Sequence, residues 1–336
     1  SSGTAALHLA GIILGWKKND IILTVPNTFV ATVNSIIYSK ATPDLVDINP
    51  KSFSIDLNLL EQKVRNYKKK GKKIKCLIVV DYAGYPCDWK KIRALSKKYD
   101  FQIVNDNCHA IGSKYDNRLD YACRFADIVT HSYHPVKNMT TGEGGAILSN
   151  NIKYIKKAKI LRSHGLNYFK NNLKNKYYDL ESLGFNYRLN DFQCALGISQ
   201  LQKLNKFVKK RRAIAKIYDN AFKDYPCFKI LQETKKNKCS YHLYPLVINF
   251  EVLKKDKNSF LKEMLKNGIK LQSHYMPIHF HSYYKKNFSF SKTKFINSEL
   301  FYKNEVSLPI YYSLSFKDAK KVSQKIIKLL NADKRN

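Results

Sequence analysis

Glycine and proline are scarce in this chain of 336 residues, at 13 and 9. No low-complexity linker or internal repeat breaks it up, which excludes fibrous and solenoid architectures. Cysteine is limited to Cys76, Cys87, Cys108, Cys123, Cys194, Cys227 and Cys239. Their number is odd, their spacing wide, and no C-x-x-C pair exists. Neither a zinc site nor a disulfide framework is indicated, and the pattern reads as that of a reducing cytoplasm. No apolar run approaches the length of a membrane span, and no signal-peptide pattern stands at the start. Acidic residues are also few: 26 Asp+Glu against 60 Lys+Arg leave a formal net charge of +34.

What is present is a folded composition. Hydrophobic residues make up 44% and aromatics 13%, enough for one large domain or two. The charge allows a nucleic-acid-binding protein as the reading from another class. Against it, no helix-turn-helix, RNA-recognition signature or zinc module appears. The lysines are spread through every segment. With 23 Tyr and 18 Phe beside so few Gly and Pro, the bias reads as the codon usage of an AT-rich genome.

Hydrophobic periodicity predicts alternating strands and helices. Strands are expected over 21–25, 44–48, 75–80, 101–105 and 126–130, and helices over 5–14, 30–38, 89–99 and 152–161. Another helix runs from the 44–48 strand through Leu60, and a polar, lysine-rich loop reaches Asn175. This order argues a mostly parallel sheet with helices on both faces. One long helix over 191–222 follows. After Pro226 the pattern changes to a strand over 241–250, a helix over 260–266 stopped by Gly268, a strand over 269–273 and a closing helix over 316–330. That reads as a large domain, 1–222, and a small α+β domain, 223–336.

Three places carry chemistry. Ser1-Ser2-Gly3-Thr4 precedes the first apolar helix, and the N–H groups and dipole of a helix start attract an anion. Asp106 stands at a strand end. The strand 126–130 runs into a turn holding Ser132, Lys137 and Gly142-Glu143-Gly144-Gly145. That turn sets a hydroxyl and a primary amine at the mouth of the sheet, where α/β proteins bind ligands. Such an amine can form a Schiff base with a carbonyl compound, and the serine can donate to a phosphate.

His131-Ser132-Tyr133-His134-Pro135-Val136-Lys137 with Gly142-Glu143-Gly144-Gly145 resembles the lysine motif of the DegT/DnrJ/EryC1/StrS family of pyridoxal-phosphate sugar aminotransferases. Ser1-Ser2-Gly3-Thr4-Ala5-Ala6-Leu7, Pro26-Asn27-Thr28-Phe29, Asp106-Asn107-Cys108-His109-Ala110, Arg162-Ser163-His164-Gly165 and Gly184-Phe185-Asn186-Tyr187-Arg188-Leu189-Asn190-Asp191 match it too, in order and over nearly the whole chain.

The resemblance implies a fold-type-I, three-layer α/β/α large domain with a small α+β domain. It implies pyridoxal 5'-phosphate bound covalently by Lys137, with Asp106 on the ring nitrogen, His109 near the ring oxygen and Phe29 against the ring. Gly3, Thr4, Ala5 and Ser132 would hold the phosphate together with Asn186 of a second subunit, so a homodimer with shared sites is expected. Ser2, Arg188, His274 and Tyr275 would face the substrate.

Asn105 and Asn107 depart from the family's commoner residues beside Asp106. The 82–88, 134–137 and 275–279 segments look most like the pseudaminic-acid branch. That implies amination by glutamate at C4 of a UDP-4-keto-6-deoxy-N-acetyl-hexosamine; another nucleotide-sugar aminotransferase acting at C3 or C4 is the alternative. A diffuse positive field would draw in such an anionic nucleotide-sugar. The family has several tens of residues before the point where this chain starts, so a fragment is expected, whose activity is then open.

Overall fold

The computed structural model describes residues 1–167, 178–292 and 294–331. Its centre is a six-stranded sheet of β1 (Ile21–Thr24), β2 (Thr42–Leu45), β3 (Ile74–Val80), β4 (Gln102–Asp106), β5 (Ile128–Ser132) and β6 (Gly145–Leu148). The order is β2-β1-β3-β4-β5-β6. Every neighbouring pair is parallel except β5 with β6. The carboxyl ends of β1 to β5 therefore share one edge, and the register sets Val80 beside Asp106, Asp106 beside Thr130, and Ser132 beside Gly145.

Side chains alternate across a strand, and the two faces sort accordingly. Ile22, Cys76, Ile78, Val104 and Ile128 pack on one face with Leu7, Ala10 and Ile13 of α1 (Gly3–Ile13), Ile36 of α2 (Val30–Tyr38) and Leu161 of α6 (Ile152–Leu161). Leu23, Leu77, Val79, Ile103 and Val129 point the other way. They meet Leu60 of α3 (Leu57–Lys69), Trp89 of α4 (Trp89–Tyr99) and Tyr121 of α5 (Tyr121–Phe125). This is the three-layer arrangement expected from the alternating pattern. A separate two-stranded antiparallel ribbon pairs β7 (Leu166–Asn167) with β8 (Asp179–Leu180). The expected lysine-rich loop to Asn175 falls mostly outside the described residues.

The helix α7 (Asp191–Phe222) starts with a capping box between Asn190 and Gln193, which satisfies two of the amides a helix start leaves open. Beyond it lies an antiparallel sheet of β9 (Phe228–Ile230), β10 (Tyr244–Ile248) and β11 (Glu305–Leu308), in the order β11-β10-β9. The helices α8 (Lys257–Lys266), α9 (Ser282–Asn287), α10 (Ile296–Asn304) and α11 (Phe316–Leu330) complete the chain.

Several sequence expectations change. The helix expected through Leu60 starts only at Leu57, where Asp56 caps it, and runs on to Lys69. The strand over 44–48 stops at Leu45. Asp47 instead turns its carboxylate to the start of α10, accepting from the amides of Asn297 at 2.9 Å and Ser298 at 3.0 Å. The strand over 241–250 begins only at Tyr244, because the carbonyls of Tyr241 and His242 are taken by Arg211. No strand forms over 269–273. Gln272 makes a single bridge to Ser307, and the chain then turns away toward the strand ends of the large sheet. Among the described residues no helix is long and apolar enough to cross a membrane.

Candidate functional site

A cavity of about 750 Å³ opens at the carboxyl edge of the parallel sheet. Ser2, Gly3, Thr4, Phe29, Asp106, His109, Ser132, Lys137, His274 and Tyr275 all line it. Ten of the thirteen residues singled out from sequence thus meet in one place, drawn from positions 2 to 275.

The helix start comes first. Ser2 caps α1, its Oγ accepting from the amide of Ala5 at 3.0 Å, and the helix dipole directs its positive end at the cavity. Close approach explains two glycines. A Cβ on Gly3 would sit 2.7 Å from Cβ of Ser132, and one on Gly145 would sit 2.3 Å from the carbonyl oxygen of Ser2. Only glycine lets the β5–β6 turn lie against the first turn of α1.

Asp106 ends β4 and is buried. Its Oδ2 accepts from the hydroxyl of Thr32 at 2.7 Å, and Thr32 in turn lies 2.8 Å from the hydroxyl of Thr28. Its Oδ1 accepts from the amide of Cys108 at 3.3 Å. Since Thr32 gives its hydrogen to the carboxylate, Thr28 is the donor to Thr32. The carboxylate is thereby held at a fixed angle.

The neighbouring departures from the family now have a reason. Asp81 is wholly buried. It accepts from Asn105 Nδ2 at 3.1 Å, Asn107 Nδ2 at 3.0 Å, Tyr121 Oη at 2.8 Å, Trp89 Nε1 at 3.2 Å and the amide of Cys87 at 2.9 Å. Burial pushes its carboxyl up and these donors oppose the shift. The two asparagines therefore serve a packed polar cluster behind the cavity.

Burial also governs the basic groups. The Lys137 amine is pushed down by desolvation, which outweighs the opposing pull of Cys108 and Asp106. His109 is pushed well below the usual histidine value by burial, and so is His242, whose ring centroid lies 4.3 Å away. Burial thus favours the neutral form of both rings. His109 Nε2 lies 3.0 Å from the Tyr275 hydroxyl, while its buried Nδ1 has no partner among the described residues. Phe29 stands at the mouth, 53% exposed, with its ring centroid 5.9 Å from that of Tyr275.

Ala5, Asn186 and Arg188 do not line this cavity. Ala5 faces a neighbouring one with Ser1, Arg162 and Tyr187. Asn186 forms a single bridge with Ser163, and both Asn186 and Arg188 are exposed. Sequence reasoning missed Thr32, Arg211, His242 and Ser307. Arg211 is buried in α7, lines the cavity and donates to the carbonyls of Tyr241 at 3.0 Å, His242 at 3.2 Å and Ile310 at 2.8 Å. Burial pushes it down to about 10, so it stays charged at neutral pH. Nothing in the local pattern of a long helix marks one arginine among its many cations.

This fold is that of the fold-type-I pyridoxal-phosphate-dependent transferases. The structure resembles PseC of Helicobacter pylori, an aminotransferase involved in the biosynthesis of pseudoaminic acid, with a TM-score of 0.87 and 32% identity over 98% of this chain and 85% of that one. It also resembles Spr1654 of Streptococcus pneumoniae, assigned as a sugar aminotransferase and solved in its PLP form, with a TM-score of 0.87 and 27% identity over 98% and 86%. In sequence it is 38% identical over 337 residues to the UDP-4-amino-4,6-dideoxy-N-acetyl-beta-L-altrosamine transaminase of Campylobacter jejuni subsp. jejuni, covering 100% of this chain and 85% of that protein. The model of the DegT/DnrJ/EryC1/StrS aminotransferase family matches residues 1–327, and the chain belongs to that family.

Proposed function

We propose that this protein is a pyridoxal-phosphate-dependent transaminase that moves an amino group from glutamate to C4 of a UDP-4-keto-6-deoxy-N-acetyl-hexosamine. The observation that carries the reading is the convergence of the Lys137 amine, the Asp106 carboxylate and the start of α1 on one cavity. The residues fit the cofactor. Gly3 against Ser132 leaves a cradle that any larger side chain would fill, a helix start suits a phosphate, and the unpartnered Nδ1 of His109 awaits a polar atom.

When bound, pyridoxal phosphate supplies a carbonyl carbon to carry the amino group and a ring to take up electrons. The chain's own residues do the rest. Lys137 would hold the cofactor, and its Nζ would serve as the general acid and base that moves a proton. Its lowered pKa leaves more of the amine unprotonated near neutrality. Asp106, steadied by Thr32, would pair with the ring nitrogen and favour its protonated form. Gly3, Thr4 and Ser132 would hold the phosphate and Phe29 would lie against the ring, while His274 and Tyr275 would border the sugar.

The reading includes a homodimer in the cytoplasm in which Asn186 and Arg188 act in the site of a second copy. Leu183 and Phe192 flank that segment and are 86% and 89% exposed, an unusual apolar display for a free surface. We place the boundary between the large and small domains at the end of α7, after Phe222.

The test is direct. Protein mixed with pyridoxal phosphate should show a visible band that borohydride bleaches and Lys137→Ala lacks. Candidate UDP-4-keto sugars plus glutamate should then give an amino sugar by mass spectrometry. A cofactor band without product from any such sugar would leave the family but overturn the substrate.

A further inference from the structure

Behind the cavity wall lies a carboxylate that the mechanism above does not use. Glu305 opens β11 and is 0% exposed. Its Oε2 accepts from the backbone amide of His274 at 3.0 Å. Its Oε1 accepts from the Ser307 hydroxyl at 2.5 Å. The same Ser307 oxygen lies 2.8 Å from Nδ1 of His274. The three side chains form a line from the core to the cavity, where Ser307 and His274 are both part of the lining.

The hydrogen positions follow from counting donors. A hydroxyl has one hydrogen. While Glu305 is ionised, Ser307 gives it to the carboxylate, so at the other contact Ser307 can only accept and Nδ1 of His274 carries the hydrogen. A neutral imidazole has one N–H, so Nε2 is bare. His274 is neutral, since burial and the nearby Lys137 push it down to about 4. Among the described residues Nε2 has no hydrogen-bond partner.

We infer that Glu305 and Ser307 are positioning residues that fix the tautomer of His274, so that its bare Nε2 accepts a hydrogen bond from a hydroxyl or amide N–H of the sugar. This rests on the proposed function, in which the cavity takes a sugar. It adds what kind of group the wall recognises: a donor, not an acceptor.

The line can run in reverse. Burial raises the Glu305 carboxyl to about 7, against the hydrogen bonds from Ser307 and His274 and the attraction of Lys257 on α8. Tyr82 and Tyr275 also face it, and His109, His242 and Lys137 face His274. One proton taken up at Nε2 lets Nδ1 pass its hydrogen to Ser307 and Ser307 pass its own to Glu305. The imidazole ends neutral with its hydrogen on Nε2, and the acceptor has become a donor.

Glu305→Gln makes the same reversal permanent. Its amide oxygen stays on the His274 backbone N–H, its NH2 turns to Ser307, and Ser307 then donates to Nδ1. Nitrogen-15 spectra of the histidine rings in the cofactor-loaded protein should show Nδ1–H for His274 above pH 8 and Nε2–H in Glu305→Gln. KM for the keto-sugar should rise about tenfold, the loss of one hydrogen bond, and the wild-type KM should rise likewise as the pH falls through the Glu305 transition. The glutamate half-reaction and the cofactor band should not change.

Ser307→Ala is the second variant. It should lose the single tautomer and raise the same KM. An Nε2–H tautomer in the wild type above pH 8 overturns the inference, as does an unchanged sugar KM in both variants. The spectra of the rings do not require turnover, so a protein that lacks transaminase activity but shows the switched tautomer separates the failure of the functional reading from that of the relay.

Discussion

The hydroxyl of Tyr275 lies 3.0 Å from Nε2 of His109, joining the loop that precedes α9 to the end of β4. Other bonds fasten the same loop: among them, the Tyr275 amide donates to Oδ1 of Asn27 at 3.2 Å, and the Tyr82 hydroxyl donates to the carbonyl of His274 at 2.5 Å. Tyr275→Phe removes one contact and leaves His109 with both ring nitrogens unpaired. A buried polar group left without a partner costs about 1–3 kcal/mol. The expected result is an unfolding free energy lower by that amount in urea melts, with cofactor affinity reduced severalfold in an absorbance titration.

Thr32→Val keeps the shape of the side chain that steadies Asp106 and deletes the hydroxyl. Asp106 should remain in place with more freedom and a weaker grip on a ring nitrogen. A fall in kcat of about tenfold, equal to one charge-assisted hydrogen bond of about 1.5 kcal/mol, is expected with little change in KM. Steady-state kinetics would show it, and an unchanged kcat would remove Thr32 from the mechanism.

Gly145→Ala sets a methyl group 2.3 Å from the Ser2 carbonyl. The start of α1 must shift, and the cradle between Gly3 and Ser132 shifts with it. Gly145 opens the edge strand β6, so the five parallel strands are left as they are. We expect near-native circular dichroism with cofactor affinity down by about a hundredfold, roughly 2.7 kcal/mol, measured by equilibrium dialysis.

Phe192→Asp places a charge at the most exposed apolar side chain of α7. If that face binds a second copy, sedimentation should move from dimer to monomer, and activity should fall with it because Asn186 and Arg188 would leave the shared sites. A dimer of unchanged stability would place the interface elsewhere.

Asp219 gives a pH dependence with a definite sign. Burial raises its carboxyl from 3.8 to about 6, although the Tyr244 hydroxyl donates to it at 2.7 Å. A group that holds its proton more tightly when folded adds stability below its ordinary pKa, and that stability is lost as the pH rises through about 6. Asp219→Asn keeps an acceptor for Tyr244 and removes the charge. The variant should gain on the order of 1–2 kcal/mol above pH 7, after allowance for solvent screening, and nothing at pH 4, in urea melts at both values.

The sequence carried the helices well where pattern and boundaries agree. The ranges 30–38, 89–99, 152–161, 191–222 and 316–330 appear as expected. Lys137, Asp106 and the helix start were legible because each sits at an element end with chemistry unsuited to a core. The rest depends on distance in space. Thr32 acts on a carboxylate 74 residues away, and Arg211 bonds a carbonyl 99 residues away. Glu305 looks like the start of an ordinary strand until His274 is brought beside it. The expected strand over 269–273 fails for the same reason: its polar groups find partners across the fold and not in a ladder.

One apolar cluster runs without a break from Leu23 and Val79 through Tyr218 and Phe222 to Leu246, Val306 and Ile326. Among the described residues the parallel and antiparallel sheets thus share one buried apolar cluster. Heating should therefore melt both in a single calorimetric peak, and a protease should find the chain whole or not at all.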